Sequence, residues 1–132
     1  KKRRPPYTHV LLLVGTNDLG TADAADIVRN TIKLHDIALS AGAETFALAI
    51  PDNKGCKQIE WVGENRASCN AMLREWSEEA PSAQFLAIDL DVPFSEDSGD
   101  WEDDGLHMTR QGYARLAAAL AGHLKGLLSL PQ

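Results

Sequence analysis

Three short apolar runs, each followed by a helical stretch, restrict what this chain can fold into more than any other feature. Thr8–Val14 (THVLLLV), Thr45–Ile50 (TFALAI) and Phe85–Leu90 (FLAIDL) are almost continuously apolar. Strands that are apolar on both faces belong inside a parallel sheet covered by helices on either side. Helical spacing predicts a first helix over about Asp23 to Ser40, with Ala24, Ile27, Val28, Thr31, Leu34 and Ala38 along one stripe and Ala41-Gly42 as its stop. A second is predicted over about Val62 to Glu79, ending before Pro81. A third runs from about Thr109 to Leu128, with Thr109 as N-cap and Tyr113, Leu116, Ala117, Leu120, Leu124, Leu127 and Leu128 at helical spacing. Strand and helix in alternation predict βαβ units, hence an α/β domain of three layers around an open parallel sheet.

The 132 residues, 44% of them apolar, suffice for one domain with its own core. Thirteen basic against nineteen acidic residues give a formal net charge of −6, which argues against a nucleic-acid partner. The opening KKRRPP is the exception, and residues 1–7 are read as a solvated basic tail or loop remnant ahead of a domain at 8–132. No apolar run reaches the roughly eighteen residues a membrane span needs. Nothing in the chain specifies a compartment. Cys56 and Cys69 are too few for a disulfide framework or a zinc site, and Cys69 shares a helix face with Met72, Leu73 and Trp76, as a buried core thiol would.

Right-handed crossovers put all strand carboxyl ends on one edge of such a sheet, and ligands bind in the crevice outside that edge. The loops leaving it are GTNDLG, PDNKGC and DVPFSEDSGDWEDDGLH. In the last of these, Asp104 stands three residues before His107. Histidine can take a proton and return it near neutral pH, and a carboxylate at this spacing can reach back to Nδ1–H and fix the tautomer. Gly105 lets the loop fold back. In the first loop, the Asn17 carboxamide can aim its NH2 at an oxygen that becomes negative during reaction. Gly15, Thr16 and Asp18 beside it are candidate substrate-binding residues. Taken singly, each motif also fits ordinary loop chemistry.

Together they are more specific. GTND directly after a buried strand, followed about ninety residues later by DGLHMTRQGY at the start of the last helix, resembles the SGNH hydrolases, the GDSL-type esterases and lipases. The resemblance covers about His9 to Leu128. It implies a flavodoxin-like α/β/α sandwich with Asn17 as oxyanion donor, His107 as base, Asp104 as its orienting carboxylate, and Gly112-Tyr113 as the family's G-Y pair. The implied substrate is a small acyl ester cleaved by a Ser-His-Asp triad.

The G-D-S block that carries the family's nucleophilic serine has no counterpart here. Of the serines present, only Ser95 and Ser98 lie near His107 in sequence, on a loop poorly suited to preorganising a nucleophile, and Cys56 offers a thiol route at still lower weight. The expectation is therefore an SGNH-type domain truncated at its N-terminus. VLLLV then becomes a bare sheet edge, so the 132 residues are expected to be either a fragment of a longer chain or a truncated product whose edge another chain would have to cover. The acidic run Glu96–Asp104 is read as a solvated loop, and no metal or cofactor is expected. The alternative to an esterase is a catalytically inactive relic that binds a ligand or protein through the same crevice. A phosphate-binding reading would need a more glycine-rich first loop.

Overall fold

The computed structural model describes residues 6–128, so the basic run Lys1–Arg4 lies outside the described residues. Three parallel strands, β1 (His9–Leu12), β2 (Glu44–Leu48) and β3 (Ala83–Leu86), form one sheet in the order β1-β2-β3. His9 lies opposite Glu44, and Thr45 opposite Ala83. Among the described residues β1 is an edge strand. Four helices connect and flank the strands: α1 (Ala24–Ser40), α2 (Lys54–Gln58), α3 (Glu60–Glu79) and α4 (Arg110–Leu128).

The strands split the core in two. On one face Ile27 and Val28 of α1 and Val62, Cys69 and Leu73 of α3 pack with Leu19, Ile50 and Cys56. On the other, Phe46, Leu48, Leu86 and Ile88 meet Leu116, Leu120, Leu124 and Leu128, one i, i+4 row of α4. The result is the expected three-layer α/β/α sandwich. Cys69 is fully buried as expected, and burial, with Asp23 nearby, pushes its thiol up to about 11.

The helices begin where their caps dictate. Asp23 accepts the Asp26 N–H at the start of α1, and Thr109 Oγ1 accepts the Gly112 N–H at the start of α4. Elsewhere the structure departs from the sequence reading. Each strand is shorter than its apolar run: after β2 the Ile50 backbone is claimed by the Asn70 side chain, which accepts Ile50 N–H at 2.8 Å and donates to Ile50 O at 3.1 Å. The third run turns at Ala87 into a 3-10 segment, Ile88–Leu90, whose Asp89 is held by Arg66 at 3.3 Å. The short α2 has no helical periodicity to announce it; Asn53 caps it through the Cys56 N–H. Leu34 of the predicted stripe is 44% exposed, and His35 takes the core position instead. Tyr113, Ala117 and Leu127 also stand outside the α4 contact, because one helix presents a wider apolar arc than the face it covers. Leu34, Ile37 and Ala38 line an open apolar groove of about 400 Å3 with Tyr7 and Val10, beside the edge strand.

His35 is fully buried against Trp76, ring centroids 4.9 Å apart, and neither ring nitrogen has a hydrogen-bond partner. Burial holds its pKa below the usual 6.5, against an opposing pull from Asp36. A lowered folded pKa means the neutral ring is the form the fold keeps. Its contribution is complete above the unfolded pKa and is lost as pH falls below it. His35→Phe keeps the ring against Trp76 and removes this dependence. Urea midpoints measured at pH 7.5 and 5.5 are therefore expected to fall further for the wild-type chain than for the variant.

Candidate active site

The carboxyl ends of all three strands open onto one cleft of about 230 Å3. Leu13, Thr16 and Asn17 line it from the segment after β1, Pro51, Asp52 and Asn53 from the loop after β2, and Trp101, Leu106, His107 and Met108 from the loop before α4, with Tyr113 and Leu116 on α4 itself. Asn17 and His107, about ninety residues apart in the chain, thus face the same space.

His107 is fixed by a tight turn. Asp104 Oδ2 lies 2.6 Å from His107 Nδ1, while Oδ1 accepts the backbone N–H groups of Leu106 at 2.8 Å and His107 at 3.0 Å. The carboxylate therefore has one oxygen for the ring and one for the turn that presents it. The imidazole bond and then the two backbone N–H groups hold the Asp104 carboxyl well below its usual 3.8, at about 2. Nε2 makes no protein hydrogen bond among the described residues. Gly105 sits at φ 67, where a side chain would also strike Lys54. Its carbonyl accepts the Lys54 N–H at 3.0 Å, which ties this turn to the loop after β2.

The preceding acidic loop is anchored. Asp100, 2% exposed, accepts from Gln111 at 2.8 Å and pairs with Arg115 at 3.1 Å. Trp101 donates to Pro93 O at 3.2 Å, packs edge-on against Phe94 and bridges to Met108. The same indole lines the cleft, so it is both an anchor and a wall. Lys54 reaches Glu96 at 3.7 Å. Among the described residues no group of three or more His, Cys, Asp or Glu side chains is placed to hold a metal ion.

The remaining sequence candidates fall in different places. Thr16 lines the cleft, whereas Gly15 and Asp18 are not among its lining residues. Gly15, at φ 115, lies under Ile50, and Asp18 provides the carbonyl that accepts Thr21 and Ala22 N–H. Ser95 and Ser98 are engaged with each other's turn, Ser98 Oγ donating to Ser95 O at 3.1 Å, and neither lines the cleft. Cys56 is buried in α2, where desolvation and then Asp52 push its thiol up, the wrong direction for a nucleophilic thiolate. The loop after β2 is expected at the ligand edge from the sequence, yet no motif singles out its Asp52 and Asn53, which line the cleft. Asp52 pairs with Lys57 at 3.0 Å, and Arg66 donates to Ile50 O at 2.9 Å. Its sequence signal is the N-cap pattern Asn53-Lys54-Gly55-Cys56 directly after a strand and a proline.

The model of the GDSL-like Lipase/Acylhydrolase family matches residues 1–115. The chain belongs to this GDSL-like family. Solved structures share its fold: an acetyl esterase carrying a serine-to-alanine mutation, with acetate ion, at 18% identity and TM-score 0.73, and a carbohydrate esterase family 3 protein from Talaromyces cellulolyticus at 17% and 0.67. Each match covers 92% of this chain and 59% of the other, so the GDSL-like chain spans less than two thirds of these structures. Among curated proteins none matches it. The flavodoxin-like layering is thus the fold this GDSL-like chain shares with those esterases.

Two outcomes follow from this geometry. Because the folded pKa of Asp104 is depressed, its contribution to stability is in place above about pH 4 and is lost as pH falls toward 2. Asp104→Asn should flatten the melting-temperature profile over that window and leave it parallel to wild type above it. At the base of α4, a Cβ on Gly112 would run into Asp100 O, whereas Gly122 has open space around it. Gly112→Ala is expected to cost about 1–3 kcal/mol in denaturant unfolding, and Gly122→Ala to add about 0.5–1 kcal/mol.

Proposed function

We propose that this chain carries the acid–base and part of the oxyanion machinery of a carboxylic-ester hydrolase whose nucleophilic serine lies outside these 132 residues. The observation that supports it most directly is that Asn17 and an Asp104-oriented His107 line one cleft. In this reading the serine Oγ attacks the ester carbonyl carbon and His107 Nε2 takes its proton. The carbonyl oxygen becomes an oxyanion beside the Asn17 carboxamide. Collapse breaks the bond to the alcohol oxygen, which leaves with the proton returned by His107. Water then attacks the acyl-enzyme by the same path, releasing the acid and the serine. Asp104 stays ionised throughout, keeping Nδ1–H directed at itself and favouring the imidazolium as it forms.

The acetyl esterase among the solved structures that share this fold makes short acyl esters the first substrates to try. Hydrolysis of short-chain aryl esters by the intact gene product tests the proposal. His107→Ala is expected to lower kcat by about 10^4- to 10^6-fold, and Asn17→Ala by about 10^2- to 10^3-fold. Full activity of the histidine variant would end it. The second reading, an inactive binding relic, rests on the fact that no described serine lines the cleft. It predicts ligand binding by the intact product with no turnover.

A further inference from the structure

We infer that Asn53 is a specificity-determining substrate contact for the alcohol half of the ester, a reading that rests on the hydrolase function proposed above. Asn53 is 6% exposed and lines the cleft with Asn17 and His107. Its carboxamide has only one orientation available. The Cys56 N–H at 2.9 Å must meet an acceptor, so Oδ1 faces α2, and Nδ2 is left with two N–H groups and no protein acceptor among the described residues. Nδ2 is not one of the buried unpaired side-chain atoms, so it meets solvent from the cleft, and a substrate that displaces that solvent has to accept from it or leave the donor unpaired.

The donor is also held still. Asn53 N–H donates to Asp52 Oδ1 at 2.9 Å, Asp52 is fixed by Lys57, and Ile50 two residues earlier in the same loop is gripped by Asn70 and Arg66. The next residue, Lys54, donates its N–H to Gly105 O inside the Asp104–His107 turn. Asn53 is thereby tied to the loop of the group that protonates the departing alcohol, whereas the oxyanion donor Asn17 comes from the segment after β1. This assigns Asn53 to the alcohol side of the scissile bond. Since Nδ2 can only donate, the preferred esters are those whose alcohol portion carries an acceptor oxygen, a hydroxyl or an ether, near the ester group.

A matched pair of substrates isolates this contact: 2-methoxyethyl acetate and n-butyl acetate differ by an ether oxygen in place of a methylene. The intact gene product is expected to show the higher kcat/KM for the ether. Asn53→Ser keeps a capping acceptor for Cys56 N–H and removes Nδ2. Its melting temperature should stay near wild type while the ether-to-alkyl ratio of kcat/KM falls by about 3- to 10-fold. Asn53→Ala loses Nδ2 and the cap together, so its ether-to-alkyl ratio should fall as in the serine variant while its melting temperature also drops. The Asn53 side-chain NH2 signals in NMR spectra provide a readout that needs no turnover, and they are expected to shift on titration with the ether ester but not with the alkyl ester. An unchanged ratio in the serine variant, or side-chain signals indifferent to the ether oxygen, would overturn the assignment. Full activity in His107→Ala would instead overturn the hydrolase reading, so the two failures are separable.

Discussion

The parallel alignment of β1, β2 and β3 is the constraint on which the cleft depends. It makes three loops leave the sheet at the same edge, and so brings together groups that are remote along the chain. The sheet alone leaves those loops unfixed in height and direction. Side chains from α3 do that: Asn70 and Arg66 hold the Ile50 backbone, and Asn65 donates to Leu19 O and Ala22 O at 3.0 and 2.8 Å. One helix therefore grips the ends of two loops that line the cleft.

How much of this could be read from the residues follows from the range of the forces involved. Apolar periodicity reports burial, so the three strands, three of the helices and their layering were legible. So was the pairing of Asp104 with His107, because an i, i+3 contact in a turn is local. The extent of each strand was not. Whether Ile50 continues a ladder is decided by an asparagine twenty residues later, and whether Ile88 does so is decided partly by an arginine in α3. The interchange of Leu34 and His35 is likewise a tertiary result, set by the room beside Trp76 rather than by polarity.

At the cleft, the residues found by motif were those whose side-chain chemistry is unusual for their setting. Asn53 and Asp52 escaped because Asn and Asp after a proline look like ordinary turn residues. Only the cap on α2 and the ion pairs with Lys57 and Arg66 show that they are held in place. The acidic loop illustrates the opposite case: six carboxylates in nine residues suggest a uniformly wet segment, yet Asp100 is among the most deeply buried side chains in the structure.

The greasy hollow between α1 and β1 lies alongside a strand with no neighbour on its outer side among the described residues. Oil and raw peptide hydrogen-bonding capacity on one flank make a sticky combination. How this polypeptide behaves in a tube will then depend on crowding by its own kind: dilute samples report on a lone molecule, concentrated ones on whatever has sealed that flank.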